Sequence, residues 1–110
     1  MTFNEYQKIA ARTINKSLSK EEMLLHGLFG LAAEAGEVLG IYQKQYQGHA
    51  PSDEHLIKEI GDLMWMAAEI LTARDIPMDC VAQINNEKLK ARYPDGFSEE
   101  RSLHRAEGDI

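Results

Sequence analysis

Two pairs of acidic residues at helical spacing are the part of this sequence best suited to chemistry. Glu34 and Glu37 lie three residues apart, and so do Glu59 and Asp62. Residues three apart lie on neighbouring turns of one helix face. If two such faces turned toward each other, they would gather four negative charges, which a protein interior accommodates only around a cation. The spacing therefore predicts a carboxylate site for a hard divalent metal and an anionic, phosphate-bearing substrate.

The donor atoms narrow the choice of metal. Carboxylate oxygens suit Mg²⁺ or Mn²⁺ better than zinc. A di-iron carboxylate bundle would need Glu-x-x-His motifs, and no glutamate here has a histidine three residues later. The single Cys80 excludes an internal disulfide and a thiolate zinc site, and we expect it to be a small core residue. The alternative is that the acids are solvated and the chain is a non-catalytic helical interaction module.

Length and charge set further bounds. The 110 residues fit one domain, 1–110. A net charge of -6 argues against nucleic acid and against an anionic membrane as partners. The first residues lack the basic start and apolar stretch of a signal peptide, and no apolar run approaches the ~18 residues of a membrane span. These features predict a cytoplasmic protein.

Capping signals and apolar periodicity predict an all-α, four-helix bundle-like domain. The predicted helices are a short first one capped by Thr2, a second from Ser19 to about Gln47, a third from Ser52 to about Ala73, and a fourth from Ile76-Pro77 to Tyr93. The helical core thus covers about 2–93. Residues 94–110 are polar and aperiodic, and we expect them to form an extended tail.

The apolar faces of the last two helices predict how they pack. The third carries two adjacent apolar stripes, too wide for one neighbouring helix to cover. We therefore expect a homo-oligomer, a dimer or a tetramer. The fourth helix should bury Val81, Ile84 and Leu89. Gly27, Gly30 and Gly40 lie on the acid-bearing side of the second helix, which indicates space kept for a ligand or for close helix approach.

Three segments in order carry a family resemblance. They are residues 26–38 (HGLFGLAAEAGEV), residues 58–65 (KEIGDLMW) and residues 85–97 (NNEKLKARYPDGF). Over residues 22–105 the chain resembles the MazG-like all-α nucleoside triphosphate pyrophosphohydrolases of the short single-domain type. The 21 residues between Glu37 and Glu59 fit that family's spacing between ExxE and ExxD. One departure is Ala33, where many members carry a further acid.

The resemblance implies Mg²⁺-dependent hydrolysis of (deoxy)nucleoside triphosphates to the monophosphate and pyrophosphate, with nucleotide-pool house-cleaning as the expected role. Glu34, Glu37, Glu59 and Asp62 would be the catalytic metal ligands, and one of them would orient or deprotonate the attacking water. A phosphoribosyl-ATP pyrophosphohydrolase-like activity is the enzymatic alternative.

Substrate contacts are expected mainly on the fourth helix. Asn85, Lys88 and Arg92 share one of its faces, and the resemblance favours phosphate contacts for Lys88 and Arg92 over a purely helix-dipole role. Tyr93 would anchor the tail or line the pocket, and Lys44 is a further cation candidate. Trp65 would stack on the base or belong to the core.

Overall fold

Helices form all the regular structure of the computed structural model, which describes residues 1–110. There are five α-helices: α1 (Phe3–Ala10), α2 (Lys20–Gln43), α3 (Asp53–Ala73), α4 (Met78–Arg92) and α5 (Glu99–Leu103). Short 3₁₀ turns, Ala11–Thr13 and Lys44–Gln47, extend α1 and α2. The all-α class and the four main helices predicted from the sequence are confirmed.

The first three helices begin where their caps predict. The Thr2 hydroxyl accepts from the Glu5 backbone N–H at 3.0 Å. The Ser19 hydroxyl accepts from the backbone N–H of Glu22 at 3.1 Å, and the Glu22 carboxylate accepts in return from the Ser19 N–H. The Ser52 hydroxyl accepts from the His55 backbone N–H at 3.2 Å and caps α3 without a reciprocal bond. Local hydrogen bonds therefore fix the starting register of the helices that carry the acids.

An antiparallel α2–α3 hairpin is the centre of the molecule. Gly48, with φ of +91°, ends the 3₁₀ turn after α2 in the left-handed conformation that glycine adopts without strain. Gly27 on α2 lies against Met66 and Ile70 on α3, and a Cβ there would come within 2.7 Å of the Ile70 Cγ1. The missing side chain at Gly27 lets the two helices approach closely.

Side chains of α1 fasten the junction between α3 and α4. The Gln7 amide donates to the Ile76 carbonyl at 2.9 Å and accepts from the Met78 N–H at 2.7 Å. Asn4 and Asp79 exchange two further backbone–side-chain hydrogen bonds. Beyond this junction α4 contacts α1 but has no extensive contact with α2 or α3. One chain therefore does not close a four-helix bundle by itself.

The core of a single chain is sparse. Its buried apolar side chains are Ile41, Met66, Ala68 and Ala73. The buried Glu69 carboxylate lies 2.9 Å from the His26 Nδ1, which satisfies this charge within the hairpin. Phe29, Leu39 and Ile57 are each about 70% exposed. The radius of gyration is 17.2 Å, against about 13 Å for a compact domain of this length.

Two packing expectations for α4 are wrong within one chain. Val81, Ile84 and Leu89 are exposed, and Cys80 is exposed as well. The periodicity of these residues marks an apolar face, but no other element of the same chain covers it. An apolar stripe in a sequence shows that burial is favourable and does not show which element provides it.

The segment 94–110 is not extended throughout, contrary to expectation. Ser98 caps the short helix α5 by accepting from the Arg101 N–H. Gly96 and Gly108, both with positive φ, turn the chain on either side of α5. The segment then folds back so that Asp109 pairs with Arg92 at the end of α4.

One segment, Lys20–Gln47, is long and apolar enough to cross a membrane by length and composition. Length and composition alone are weak evidence for a membrane span, because the core helix of a soluble protein meets them as well. Only 11% of the most apolar 18-residue stretch of this segment is buried in one chain. Glu34 and Glu37 lie inside the segment, and charged residues are costly at the centre of a bilayer.

Candidate metal centre

Three of the four predicted acids meet between α2 and α3. Glu34 on α2 and Glu59 and Asp62 on α3 offer carboxylate oxygens that all lie within 4.8 Å of one another. All three residues are half-buried. The antiparallel pairing of the hairpin produces this arrangement, because it places the middle of α2 opposite the first half of α3.

We define Glu34, Glu59 and Asp62 as the acid cluster. The negative charges of these residues repel one another. Partial burial raises the pKa of Glu34, and the charges of Asp62, Glu59 and Glu37 raise it further. Desolvation and like charges both favour the protonated form of a carboxyl group. A cation bound at the cluster would remove this cost.

The cluster fits a hard divalent cation. Mg²⁺ binds oxygen at about 2.0–2.1 Å, so two of its ligand oxygens are at most about 4.2 Å apart. Oxygens within 4.8 Å of one another reach that spacing with small side-chain movements. The all-oxygen donor set suits Mg²⁺ or Mn²⁺, and these three residues would hold the ion.

Glu37 stands apart from this group. It is exposed and is not among the residues whose oxygens converge. Its charge nevertheless raises the pKa of Glu34, so it lies close to the cluster. Its assignment as a fourth ligand remains a prediction.

Two residues beside the cluster were not predicted from the sequence. The His55 Nε2 lies 3.0 Å from a Glu59 carboxylate oxygen, one helical turn away. Tyr6 of α1 is half-buried, and its pKa is raised by burial and then by the neighbouring Asp62. The i, i+4 spacing of His55 and Glu59 was a usable signal. Tyr6 carried no comparable signal in the sequence.

Open space borders both acid motifs. An added Cβ at Gly36 or at Gly61 would meet no atom within 4 Å. These glycines lie inside the motifs Glu34–Glu37 and Glu59–Asp62. Positions two residues from Glu34 and from Glu59 lie on other helix faces than these acids. This space therefore lies beside the motifs and not at the cluster, whereas Gly27 and Gly30 serve close helix approach.

The predicted substrate residues of α4 lie elsewhere in the chain. Lys88 and Arg92 line one pocket with Arg101 and residues 104–110, away from the α2–α3 hairpin. Tyr93 packs on Phe97 with ring centroids 5.5 Å apart, which anchors the start of the tail segment. Asn85 lies on the exposed surface of α4. One chain does not bring these residues to the acid cluster.

Trp65 and Lys44 also have defined positions. The indole N–H of Trp65 donates to the Thr13 hydroxyl at 2.7 Å, and the side chain is partly exposed beside the acid-bearing face of α3. Lys44 begins the 3₁₀ turn after α2 and is exposed. Their roles in binding substrate remain predictions.

An all-α hairpin with converging acids defines the class to which the chain belongs. The family model described as the MazG nucleotide pyrophosphohydrolase domain matches residues 19–97, most of the 110-residue chain. The chain therefore belongs to the MazG family. Nucleotide pyrophosphohydrolase activity and dependence on a divalent metal are general properties of this family. No curated protein and no solved structure gives a significant match.

Proposed function

We propose that the protein hydrolyses nucleoside triphosphates to the monophosphate and pyrophosphate in a Mg²⁺-dependent reaction at the acid cluster. The observation that carries this proposal is the convergence of three half-buried carboxylates, from Glu34, Glu59 and Asp62, between two facing helices. A solvated surface would leave such charges apart. Membership of the MazG family supplies the reaction class.

The chemistry of the cluster suits this reaction. Phosphoryl transfer depends on positioning and on charge neutralisation more than on covalent catalysis. Mg²⁺ would neutralise the phosphates and stabilise the leaving pyrophosphate. A carboxylate oxygen not engaged with metal can accept a hydrogen bond from the attacking water and take its proton. His55 holds the Glu59 carboxylate from the side.

We further propose that the working form is a homo-oligomer. The chain exposes 8351 Å², whereas a compact monomer of 12.4 kDa exposes about 6,100 Å². Obligate interfaces bury roughly 1,000–2,500 Å² per chain, which is the range of this excess. Because one chain does not bring the basic residues of α4 to the cluster, we propose that a second copy packed on the exposed face of α2 and α3 supplies them.

The test is pyrophosphate release from a panel of standard and modified nucleoside triphosphates, with phosphoribosyl-ATP included. We expect release with Mg²⁺ or Mn²⁺ and none in excess EDTA. Glu59→Gln should lower kcat by more than about 100-fold, since loss of a group that merely supports a metal ligand already costs about 10–100-fold. Glu54→Gln, an exposed acid on the same helix, is the matched control and should retain activity.

The outcomes separate the hypotheses. Turnover of modified nucleotides supports a house-cleaning role, and preference for phosphoribosyl-ATP would assign the alternative activity. Release of pyrophosphate at the full rate by metal-free protein would refute the proposed metal-dependent chemistry. If no nucleotide were cleaved under any metal condition, the chain would be a non-catalytic helical module.

A further inference from the structure

A basic pocket lies between α4 and the segment that follows it. Its volume is about 400 Å³, and it is formed by the end of α4, by α5 and by residues 104–110. Its cationic lining consists of Lys88, Arg92, Arg101 and Arg105, with His104 beside them. Glu107 and Asp109 are the acidic side chains of the lining. Four positively charged side chains thus face two negatively charged side chains.

Asp109 occupies the middle of this basic lining. The Arg92 Nε and a terminal guanidinium nitrogen donate to its two carboxylate oxygens at 2.8 and 2.7 Å. Both side chains are largely buried, with 11% of Arg92 and 14% of Asp109 exposed. The hydrogen bonds from Arg92 lower the pKa of Asp109, and the charges of Arg92, Arg105 and Lys88 lower it further. The carboxylate is held as an anion among three cations.

The remaining cations are not neutralised in the same way. Lys88, Arg101 and Arg105 take part in none of the ion pairs within 4.0 Å, which involve other residues. A guanidinium fork binds a carboxylate and a phosphate with the same bidentate geometry. A phosphate group could therefore replace the Asp109 carboxylate on Arg92, and a second phosphate would meet the free cations.

We propose that Asp109 is an internal competitor for an anion with linked phosphates at this pocket, whose lining includes the expected phosphate contacts Lys88 and Arg92. Binding of the anion displaces Asp109 from Arg92 and releases residues 106–110 from α4. The proposal deepens the proposed function, because Lys88 and Arg92 are its expected phosphate contacts. Its test requires no metal and no turnover, so it can fail or succeed separately.

The test is calorimetric titration of the full chain with inorganic pyrophosphate in EDTA. Asp109→Asn should bind pyrophosphate at least about tenfold more tightly than the wild type, because Arg92 no longer has to be released from a charge-assisted bidentate pair. Glu100→Gln is the matched control, since it removes one acidic charge from the exposed face of α5, outside the pocket lining. It should bind as the wild type does.

A second measurement uses the wild type alone and so does not depend on how the variant folds. Backbone amide NMR signals of residues 106–110 should move, on saturation with pyrophosphate, toward their positions in unstructured peptide. A non-hydrolysable nucleoside triphosphate in a parallel titration identifies the source of the phosphates. Displacement by both ligands indicates the triphosphate tail of a substrate, and displacement by pyrophosphate alone indicates a product site.

Two results would overturn the proposal. One is pyrophosphate affinity in Asp109→Asn no higher than in Glu100→Gln. The other is absence of movement of the 106–110 signals at saturating pyrophosphate. Either would leave the Arg92–Asp109 pair as a structural clamp that fastens the end of the chain to α4.

Discussion

Glu34 and Glu37 show what residue type and spacing can predict about a site. Both acids were predicted to face α3, and spacing alone gave no reason to separate them. In the structure the Glu34 carboxylate joins Glu59 and Asp62, whereas Glu37 is exposed nearby. Helical spacing predicts a face, but the distance to a partner helix depends on side-chain conformation and on the local separation of the helices. The sequence therefore predicted the cluster but did not predict which of the four acids come close to one another.

The raised pKa of Glu34 leads to a prediction about the metal-free protein. An acid whose folded-state pKa is raised gives stability below its ordinary pKa near 4.5, and that stability is lost as pH rises and the group ionises. Glu34→Gln removes this repulsion. We expect the EDTA-treated variant to unfold at a higher temperature than the wild type at pH 7, and the difference to vanish toward pH 4. Thermal unfolding followed by circular dichroism measures both.

The same variant should lose its response to metal. Mg²⁺ should raise the unfolding temperature of the wild type at pH 7, because a ligand that binds only the folded state stabilises it. In Glu34→Gln this rise should be much smaller. An equal Mg²⁺ response in both proteins would show that Glu34 does not hold the ion, whatever its effect on stability.

At the scale of helices, local signals predicted the boundaries and left the packing open. Side-chain caps by Thr2, Ser19 and Ser52 begin α1, α2 and α3 because each hydroxyl satisfies a backbone N–H a few residues away. Such hydrogen bonds depend only on residues close together in the chain, so the sequence alone is sufficient to predict them. The exposed stripe of α4 and the return of residues 104–110 to Arg92 depend on contacts between distant residues. Periodicity and composition carry no information about those contacts.

The close approach of α2 to α3 at Gly27 makes a prediction at this scale. In Gly27→Ala the new methyl would lie 2.7 Å from the Ile70 Cγ1 and 3.2 Å from the Ile70 backbone nitrogen, so the helices must separate. We expect a loss of about 1–3 kcal/mol in the free energy of unfolding, the usual cost of overpacking. Urea unfolding in EDTA measures it.

Gly40→Ala on the same helix is the matched control. A Cβ there would meet nothing within 4 Å, so the better helix propensity of alanine should stabilise the protein by up to about 1 kcal/mol. Separation of the helices at Gly27 should also weaken the Mg²⁺-induced rise in unfolding temperature, since Glu34 moves away from α3. Equal stability of the two variants would mean that the hairpin adjusts freely at Gly27.

At the scale of the whole molecule, one chain leaves much apolar surface in contact with water. Its accessible surface exceeds that of a compact monomer of equal mass by roughly 2,200 Å², and α4 has no extensive contact with α2 or α3. The wide apolar face of α3 predicted a partner from sequence. That this partner is a second copy of the chain is part of the proposed function. An apolar face in a sequence shows that burial is favourable but does not show which molecule covers it.

The oligomer is tested by measuring mass in solution. Light scattering coupled to size exclusion should give at least twice the chain mass of 12.4 kDa at micromolar concentration.

Phe29→Asp places a charge on a side chain that is 71% exposed in one chain, and burying an unpaired charge in an interface is strongly unfavourable. That variant should dissociate or unfold, whereas Lys16→Asp, which adds an acid in the exposed loop before α2, should keep the wild-type mass. A stable wild-type monomer that still hydrolyses nucleotides would contradict the assembly, because the basic residues of α4 would then have to reach the acid cluster within one chain.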